Sequence, residues 1–356
     1  QLHSALDQFS GVQLVPFWIV AALVVLYILL IGPVDYFFLK KVVRRMELTW
    51  VTFPLVVLVF SVSAYMLAHR LKGSELRLNQ VDLVDLDVES HLVRGTTWST
   101  IYSPQIETYD LALEPQPAAI AATGKPEVLL SWMGQPGGVG GPTGAAGTSL
   151  FTNPYRFTPS LDAIEQLPIS IWSTKSLVGR WSAEAASPLT AELVDRGDRL
   201  LSGTIDVSEK LNLTDAVLIY DRWAYPIRRW QPGGIIAVER QLEPQTAETY
   251  LRHAAVLDEK SGRGPYDRSS TEIDHIMEML LFYDLAGGES YTGLAHRNQS
   301  YVDLSNHIRM GQAILLGRSR APAANLLRDG GPLGAQTGLR TTYYRFVLPV
   351  APGEPE

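Results

Sequence analysis

The chain contains no cysteine. That excludes disulfides, thiolate metal sites, cysteine-held iron–sulfur clusters and thioether-linked haem. It leaves the compartment open, because a large domain can be stable outside the cytoplasm without disulfides. Charge is scarce as well, at 19% of 356 residues, against roughly 25% in an average soluble protein. The deficit is local: between Gln13 and Ala68 the only charged residues are Asp35, Lys40, Lys41, Arg44, Arg45 and Glu47. No Gly-x-Ser-x-Gly elbow and no repeat of fixed period occurs. The seven histidines, His3, His69, His91, His253, His275, His296 and His307, form no His-x-x-x-His ligand pair. The net charge of -7 divides into +2 for residues 1–71 and -9 for the rest. An acidic body repels phosphate backbones and argues against nucleic acid as a partner.

What the chain has instead is two long apolar runs. Leu14 to Ile31 is uninterrupted, and with GPVDYFFL it reaches Leu39. Leu48 to Ala68 is the second, with Pro54 inside it, a residue that membrane helices tolerate. About 20 apolar residues cross a bilayer core, so both lengths fit a transmembrane span. Aromatic residues mark the boundaries, with Phe17 and Trp18 at the start of the first run and Tyr36 to Phe38 at its end. Trp50 opens the second run and Tyr65 nears its close. Interfacial belts have this form. The connection KKVVRRME holds Lys40, Lys41, Arg44 and Arg45, which places it in the cytoplasm by the positive-inside rule. Arg70 and Lys72 weaken that bias without reversing it. The expected anchoring residues are Trp18, Tyr36, Lys40, Lys41, Arg44, Arg45, Trp50 and Tyr65. Asp35 is expected to reach the interface or pair with the basic loop, and His69 to be an interfacial polar residue rather than a ligand to a porphyrin metal.

The stretch IGPVDYFFLKKVVRRMELTW resembles the inter-helix segment of uncharacterised bacterial two-helix membrane proteins. Those read roughly Gly-Pro-Val-Asn-Tyr, a leucine run, a basic loop, then Glu-Leu-x-Trp. Gly32, Pro33, Val34, Tyr36, Glu47, Leu48 and Trp50 match, and Asp35 stands where Asn is usual. The similarity covers some 40 residues. It implies a two-pass envelope protein with β-rich regions outside the membrane. It implies no activity, cofactor or catalytic residue.

From Ser74 the texture changes to short alternating segments separated by Pro, Gly and Asn, the pattern of antiparallel strands. Strands are expected at 98–102, 107–113, 127–133, 167–181, 189–195, 199–207, 215–221, 224–230, 234–240, 313–318 and 341–350. Five of these within about 50 residues read as a small Ig-like sandwich. Pro244 opens a helix expected to reach about Val256. A second helix is expected to start with a capping box, Ser269 with Glu272, and to end at Gly287-Gly288. Gly134 to Gly147 is Gly-rich but lacks Gly-Lys-Ser/Thr, so a flexible surface loop is expected rather than a phosphate cradle.

The expected fold class is therefore a membrane helical hairpin plus mainly-β, β-sandwich and Ig-like extracytoplasmic domains with two additional helices. The expected divisions are an extracytoplasmic segment 1–12 and a hairpin 13–71, with spans at about 14–39 and 48–68 and a cytoplasmic loop at 40–47. Beyond it lie a β-sandwich module 72–184, an Ig-like module 185–242, a helical segment 243–290 and C-terminal strands 291–356. The chain starts at Gln1 rather than Met, so either a leader was removed or the sequence is a piece of a longer one.

Glu272 and His275 form one Glu-x-x-His. Di-iron bundles need two such pairs, so a surface-facing polar stripe is expected. The sequons at Asn212 and Asn298 carry little weight in a bacterial-looking chain. Trp98, Trp132, Trp172, Trp181, Trp223 and Trp230 are mostly expected in the core. DRWAYPIRRW mixes residue types enriched in binding hot spots. It makes Trp223, Tyr225, Arg228, Arg229 and Trp230 the candidate partner interface. These readings add up to a non-catalytic accessory or scaffold subunit of a larger assembly in the bacterial inner membrane. Its expected partners are the lipid bilayer and other integral membrane proteins. No enzyme activity, cofactor or metal is expected. The alternatives are an extracytoplasmic sensor or glycan-binding protein, and an envelope hydrolase.

Overall fold

The computed structural model describes all residues except 10–11, 13–16, 45, 118–119, 134–154, 198, 255–265, 297–298 and 354–356. The Gly-rich 134–147 stretch, Arg45 and the Asn298 sequon therefore lie outside the described residues. A short helix, α1 (Leu2–Leu6), opens the chain. The first apolar run forms α2 (Phe17–Leu29), a π-helical turn (Leu30–Val34), α3 (Asp35–Phe38) and a second π turn (Leu39–Val43). Pro33 sits inside the first π turn, where the wider winding accommodates a residue with no N–H to donate. Arg44, at φ 56°, ends the second. The other run is one helix, α4 (Thr49–Lys72).

Beyond the hairpin the elements are β1 (Arg77–Asp87), β2 (Leu92–Ser103), β3 (Glu107–Pro115), β4 (Glu127–Trp132), β5 (Arg156–Phe157), β6 (Ala163–Ile169), β7 (Ser173–Glu184), β8 (Leu189–Asp195), β9 (Leu201–Val207), β10 (Thr214–Tyr220), β11 (Trp223–Ile227) and β12 (Ile235–Ala237). Then come α5 (Val238–Gln241), β13 (Gln245–Thr246), α6 (Ala247–Ala254), α7 (Ile273–Leu281), α8 (Gly288–Thr292), α9 (Ser305–Arg309), β14 (Ala313–Ser319), β15 (Ala324–Arg328), β16 (Gly331–Pro332), β17 (Gln336–Leu348) and β18 (Val350–Ala351). The chain is mainly β, and the described residues include two apolar helices long enough to cross a membrane.

Three sheets form. The largest has nine strands in the order β13-β11-β10-β14-β17-β1-β2-β7-β4. The others are β12-β9-β8-β18 and β16-β15-β3-β6-β5. The large sheet draws strands from 77–184, from 214–246 and from 313–348, so its ladder runs without a break through stretches that composition separates. β17 lies parallel to β1, and both flank antiparallel neighbours.

Strand alternation sends the two faces of β1 into different cores. Val81 and Leu83 pack under α1, α6 and α7, together with Leu6, Leu251, Met277 and Phe282. Leu78, Val84 and Leu86 face the two smaller sheets, together with Leu111, Ile164, Leu193 and Ile205. The stretch 189–227 thus contributes strands to two facing layers, and its inward residues Leu193, Ile205, Leu218 and Tyr225 share that second core.

Several expected elements change their bounds. The single strand expected at 167–181 is broken at 170–172, where Trp172 adopts a left-handed conformation (φ 54°) and its N–H donates to the Ser103 carbonyl at 2.8 Å. The helix expected from Ser269 starts at Ile273 instead. Ser269 turns back to Asp267, with its N–H and hydroxyl 2.8 and 2.6 Å from that carboxylate, and Glu272 makes no side-chain cap. That helix stops at Leu281, before Gly287 and Gly288. Those glycines, at φ 108° and 58°, open α8. At Pro244 the chain first adds β13 to the sheet edge and becomes helical only at Ala247.

Candidate functional site

The hairpin closes in one antiparallel register. Tyr27 meets Phe60 with ring centroids 5.0 Å apart. Eight residues further along the first helix and eight back along the second, the Thr52 hydroxyl donates to the buried Asp35 carboxylate at 3.2 Å. Thr52, Phe60 and Ala64 lie on one face of α4 at helical spacing. Asp35 thus pairs across the helices rather than with the basic loop. Among the described side chains, the remaining surface of both helices is largely apolar and open. Trp18 and Tyr65 stand exposed at the end nearer the β domain. Tyr36, Lys40, Lys41, Arg44 and Trp50 gather at the opposite end, where Lys40 donates to the Tyr36 hydroxyl at 3.2 Å. The side chain of His69 lies outside the described residues.

Both chain segments flanking the hairpin dock on the same sheet. Asn79 of β1 donates to the carbonyls of Leu6 and Gln8 at 2.9 and 2.8 Å, and its own carbonyl accepts the Leu339 N–H at 2.8 Å. The Phe9 ring lies 5.6 Å from that of Tyr102. Tyr266 donates to the Gln1 side chain at 2.7 Å. On the other side, β1 begins at Arg77, just after α4 ends at Lys72.

β1 carries two buried carboxylates on opposite faces, each flanked by donors in direct cross-strand register. Asp82 pairs with Thr97 and Thr342. It accepts from Thr97 at 2.7 Å, from Gln80 at 2.8 Å and from the Ala323 N–H at 3.0 Å. Burial still holds its carboxyl above the usual range. Asp85 pairs with Arg94 and Arg345. Arg345, wholly buried, binds it through two bonds of 2.6 and 2.9 Å and spends its remaining nitrogen on the carbonyls of Leu281 and Val302. A guanidinium at the C-terminus of α7 also suits the helix dipole. Sequence reasoning passed over both carboxylates. Their signal was Asp82 and Asp85, the two inner aspartates of the three in RLNQVDLVDLD, set among its apolar residues.

A second ionic cluster lies under α7. Arg318 holds Asp274 at 2.5 Å, Asp215 at 3.4 Å and Glu278 at 3.8 Å. Tyr343 donates to the other oxygen of Asp274 at 2.5 Å. Burial pushes the Glu278 carboxyl up to about 7, with Arg318 offsetting only part and Asp274 and Asp215 adding to it. His275 is a correction: it is buried against the Tyr266 ring, 4.7 Å away and nearly parallel, rather than on a polar surface stripe. Burial lowers its pKa. Among the described residues no group of His, Asp and Glu is placed to hold a metal ion.

The DRWAYPIRRW stretch is divided. Tyr225 is a core residue, 2% exposed, and its hydroxyl accepts the Leu201 N–H at 3.0 Å. Trp223 and Trp230 are half-buried against the same core, and the Trp230 indole donates to the Leu211 carbonyl at 2.8 Å. Arg228 and Arg229 are exposed and line a cleft of about 590 Å³ with Ile235 and Glu243. A larger cleft of about 990 Å³ opens between the β2-β7-β4 edge and Tyr301. Arg94 and Arg180 line it, with the Arg180 guanidinium 4.4 Å from the Tyr301 ring centre. Gly95 and the Trp181 ring that lies over it also line this cleft.

No family model matches the sequence, and no curated protein matches it. Among solved structures, similarity is found to the yeast delta-COP-I mu-homology domain, free and complexed with a Dsl1 WxWxV peptide. Identity is 7%, and the matches cover 78% of this chain and 99% of those chains, with TM-scores of 0.31 and 0.30. A likeness that loose carries no argument.

Proposed function

We propose that the chain is a non-catalytic, membrane-anchored accessory or scaffold subunit of a larger membrane assembly, displaying its β domain on the extracytoplasmic face. The observation that carries this reading is the double docking of the segments that flank the hairpin. Residues 1–9 and the start of β1 pack on the same sheet, so a hairpin in lipid has both ends on the side of the β domain. The basic end, with Lys40, Lys41 and Arg44, is then the far one, which suits a cytoplasmic turn in the inner membrane of a bacterium. The helices satisfy Asp35 between themselves and leave an apolar exterior, suited to lipid and to neighbouring helices. On the β domain, Arg228 and Arg229 remain the exposed candidates for a protein partner. Ig-like character is confined in this reading to the two-layered 189–227 region.

Purification in mild detergent tests it. Stable co-purification with defined membrane proteins, weakened by Arg228→Ala with Arg229→Ala, is the expected result. A strictly monodisperse lone monomer counts against it. The cleft beside Tyr301 favours a second reading, an extracytoplasmic ligand-binding protein. Saturable glycan binding abolished by Tyr301→Ala would promote that reading over the first.

A further inference from the structure

The large sheet has one end that faces the hairpin. β1 starts at Arg77, within five residues of the last residue of α4, a reach of at most about 18 Å. Arg77 pairs with Tyr102 at the end of β2, and Tyr102 pairs with Thr174 at the start of β7. The turns after β2 and before β7, residues 103–106 and 170–172, therefore sit at this end. They lie about one and two strand spacings, or roughly 5 and 10 Å, from β1. They are locked together: the Trp172 N–H bonds the Ser103 carbonyl at 2.8 Å, and the Ser103 hydroxyl bonds the Gln105 carbonyl at 2.7 Å.

Both turns carry an outward isoleucine. Ile106 is 60% exposed and Ile171 is 40% exposed. Turn tips normally hold Gly, Pro, Asn, Asp or Ser, whose backbone and hydrogen-bonding chemistry suits them. A large apolar side chain gains nothing there in water. Two on adjacent, mutually bonded tips, at the end of the sheet from which the apolar helices leave, form a small apolar foot.

We propose that the turns 103–106 and 170–172 rest on the headgroup layer of the same membrane that holds the hairpin, with Ile106 and Ile171 dipping into the boundary with the acyl chains. The proposal rests on the membrane reading of the hairpin and adds a second, non-spanning contact. The hairpin alone holds the β domain through two neighbouring connections, the one before α2 and residues 73–76, which leave it an axis to tilt about. A foot one to two strands away removes that freedom and sets which face of the domain a neighbouring subunit meets.

The cysteine-free chain makes the test direct. Ile106→Cys, Ile171→Cys, Val24→Cys in α2 and Glu89→Cys at the far turn of β1 are each labelled with a fluorophore. The full-length protein is placed in phosphatidylcholine nanodiscs containing lipid with nitroxide either on the headgroup or along the acyl chain. The expected result is strong headgroup quenching at 106 and 171, several-fold above that at 89, with acyl-chain quenching at 24. If 106 and 171 are quenched no more than 89 while 24 is quenched from the acyl chain, the foot is refuted and the hairpin stands. If 24 also escapes quenching, the membrane reading falls and the foot with it.

Discussion

Arg345 on β17 grips Asp85 on β1 through two bonds, at 2.6 and 2.9 Å, with the guanidinium wholly out of water. The pair joins the two parallel strands at the centre of the large sheet and fastens α7 to them through the Leu281 carbonyl. Removing Arg345 leaves the buried Asp85 carboxylate to the half-exposed Arg94 alone, and breaking a buried pair costs about 3–5 kcal/mol. Arg345→Met is expected to lower stability by that amount, read from denaturant unfolding followed by tryptophan fluorescence. Arg345→Met with Asp85→Leu is expected to recover part of the loss. Arg94, on the exposed side of Asp85, is expected to cost far less when replaced by Ala.

Glu278 predicts a pH dependence. Its carboxyl is raised to about 7 in the fold, chiefly by burial, against about 4.3 in an unfolded chain. Between those values the folded state holds a proton that the unfolded state has released, so stability falls as pH rises. The contribution is fully present below pH ~4, lost progressively up to ~7 and flat above. Glu278→Gln is expected to remove that decline and to be the more stable protein at pH 8, by ~1–3 kcal/mol. Thermal unfolding of both proteins across pH 4 to 8 checks it. Parallel profiles would contradict it.

Gly95 is held to glycine by Trp181. A Cβ at that position would sit 2.0 Å from the indole ring. Gly95→Ala is expected to displace Trp181 and destabilise the β domain by about 1–3 kcal/mol, with a shift in tryptophan emission as the second readout.

Within the hairpin, Asp35 accepts from Thr52. Asn keeps an acceptor there, so Asp35→Asn is expected to leave the hairpin's stability in detergent unchanged. On the membrane reading of the hairpin, Asp35→Leu is expected to cost about 0.6 kcal/mol, the average for hydrogen bonds between membrane helices, and at most about 1.7. Resistance of the two-helix contact to denaturing detergent, followed by cross-linking Tyr27→Cys to Phe60→Cys, separates the two.

The DRWAYPIRRW stretch separates core from surface. Tyr225→Phe removes the acceptor for the buried Leu201 N–H and is expected to cost about 1 kcal/mol. Arg228→Ala and Arg229→Ala are expected to stay within about 0.5 kcal/mol of the parent, so any effect they have on co-purification reports binding and not folding. Equal destabilisation by all three would remove Arg228 and Arg229 as interface candidates.

Most strands were legible because alternation is local. The alternation in LTAELVD at 189–195, and the equally local apolar run AILLGR at 313–318, buried on both faces, matched the observed strands almost residue for residue. The break at 170–172 was not legible, since LPISIWSTK keeps a strand-like composition and only the Ser103 carbonyl, far off in sequence, captures the Trp172 N–H. The start of α7 was misjudged for a similar reason: Ser269 had a nearer acceptor in Asp267. For the candidate interface, composition marked DRWAYPIRRW as a unit, but a strand alternates its sides, and β11 turned Tyr225 inward.

By itself the sequence determined the two apolar helices with their basic turn, and the β character of most of the chain beyond Ser74. Both depend on side-chain polarity counted over a short window, which the solvent reads without reference to the rest of the chain. Only the tertiary structure decided that β17 lies parallel to β1, that Thr97, Thr342, Arg94 and Arg345 converge on two aspartates, and that residues 1–9 return to the sheet beyond the hairpin. Those are pairings between residues up to hundreds of positions apart. They are chosen by which arrangement buries both faces of one sheet while leaving no carboxylate of β1 without a donor.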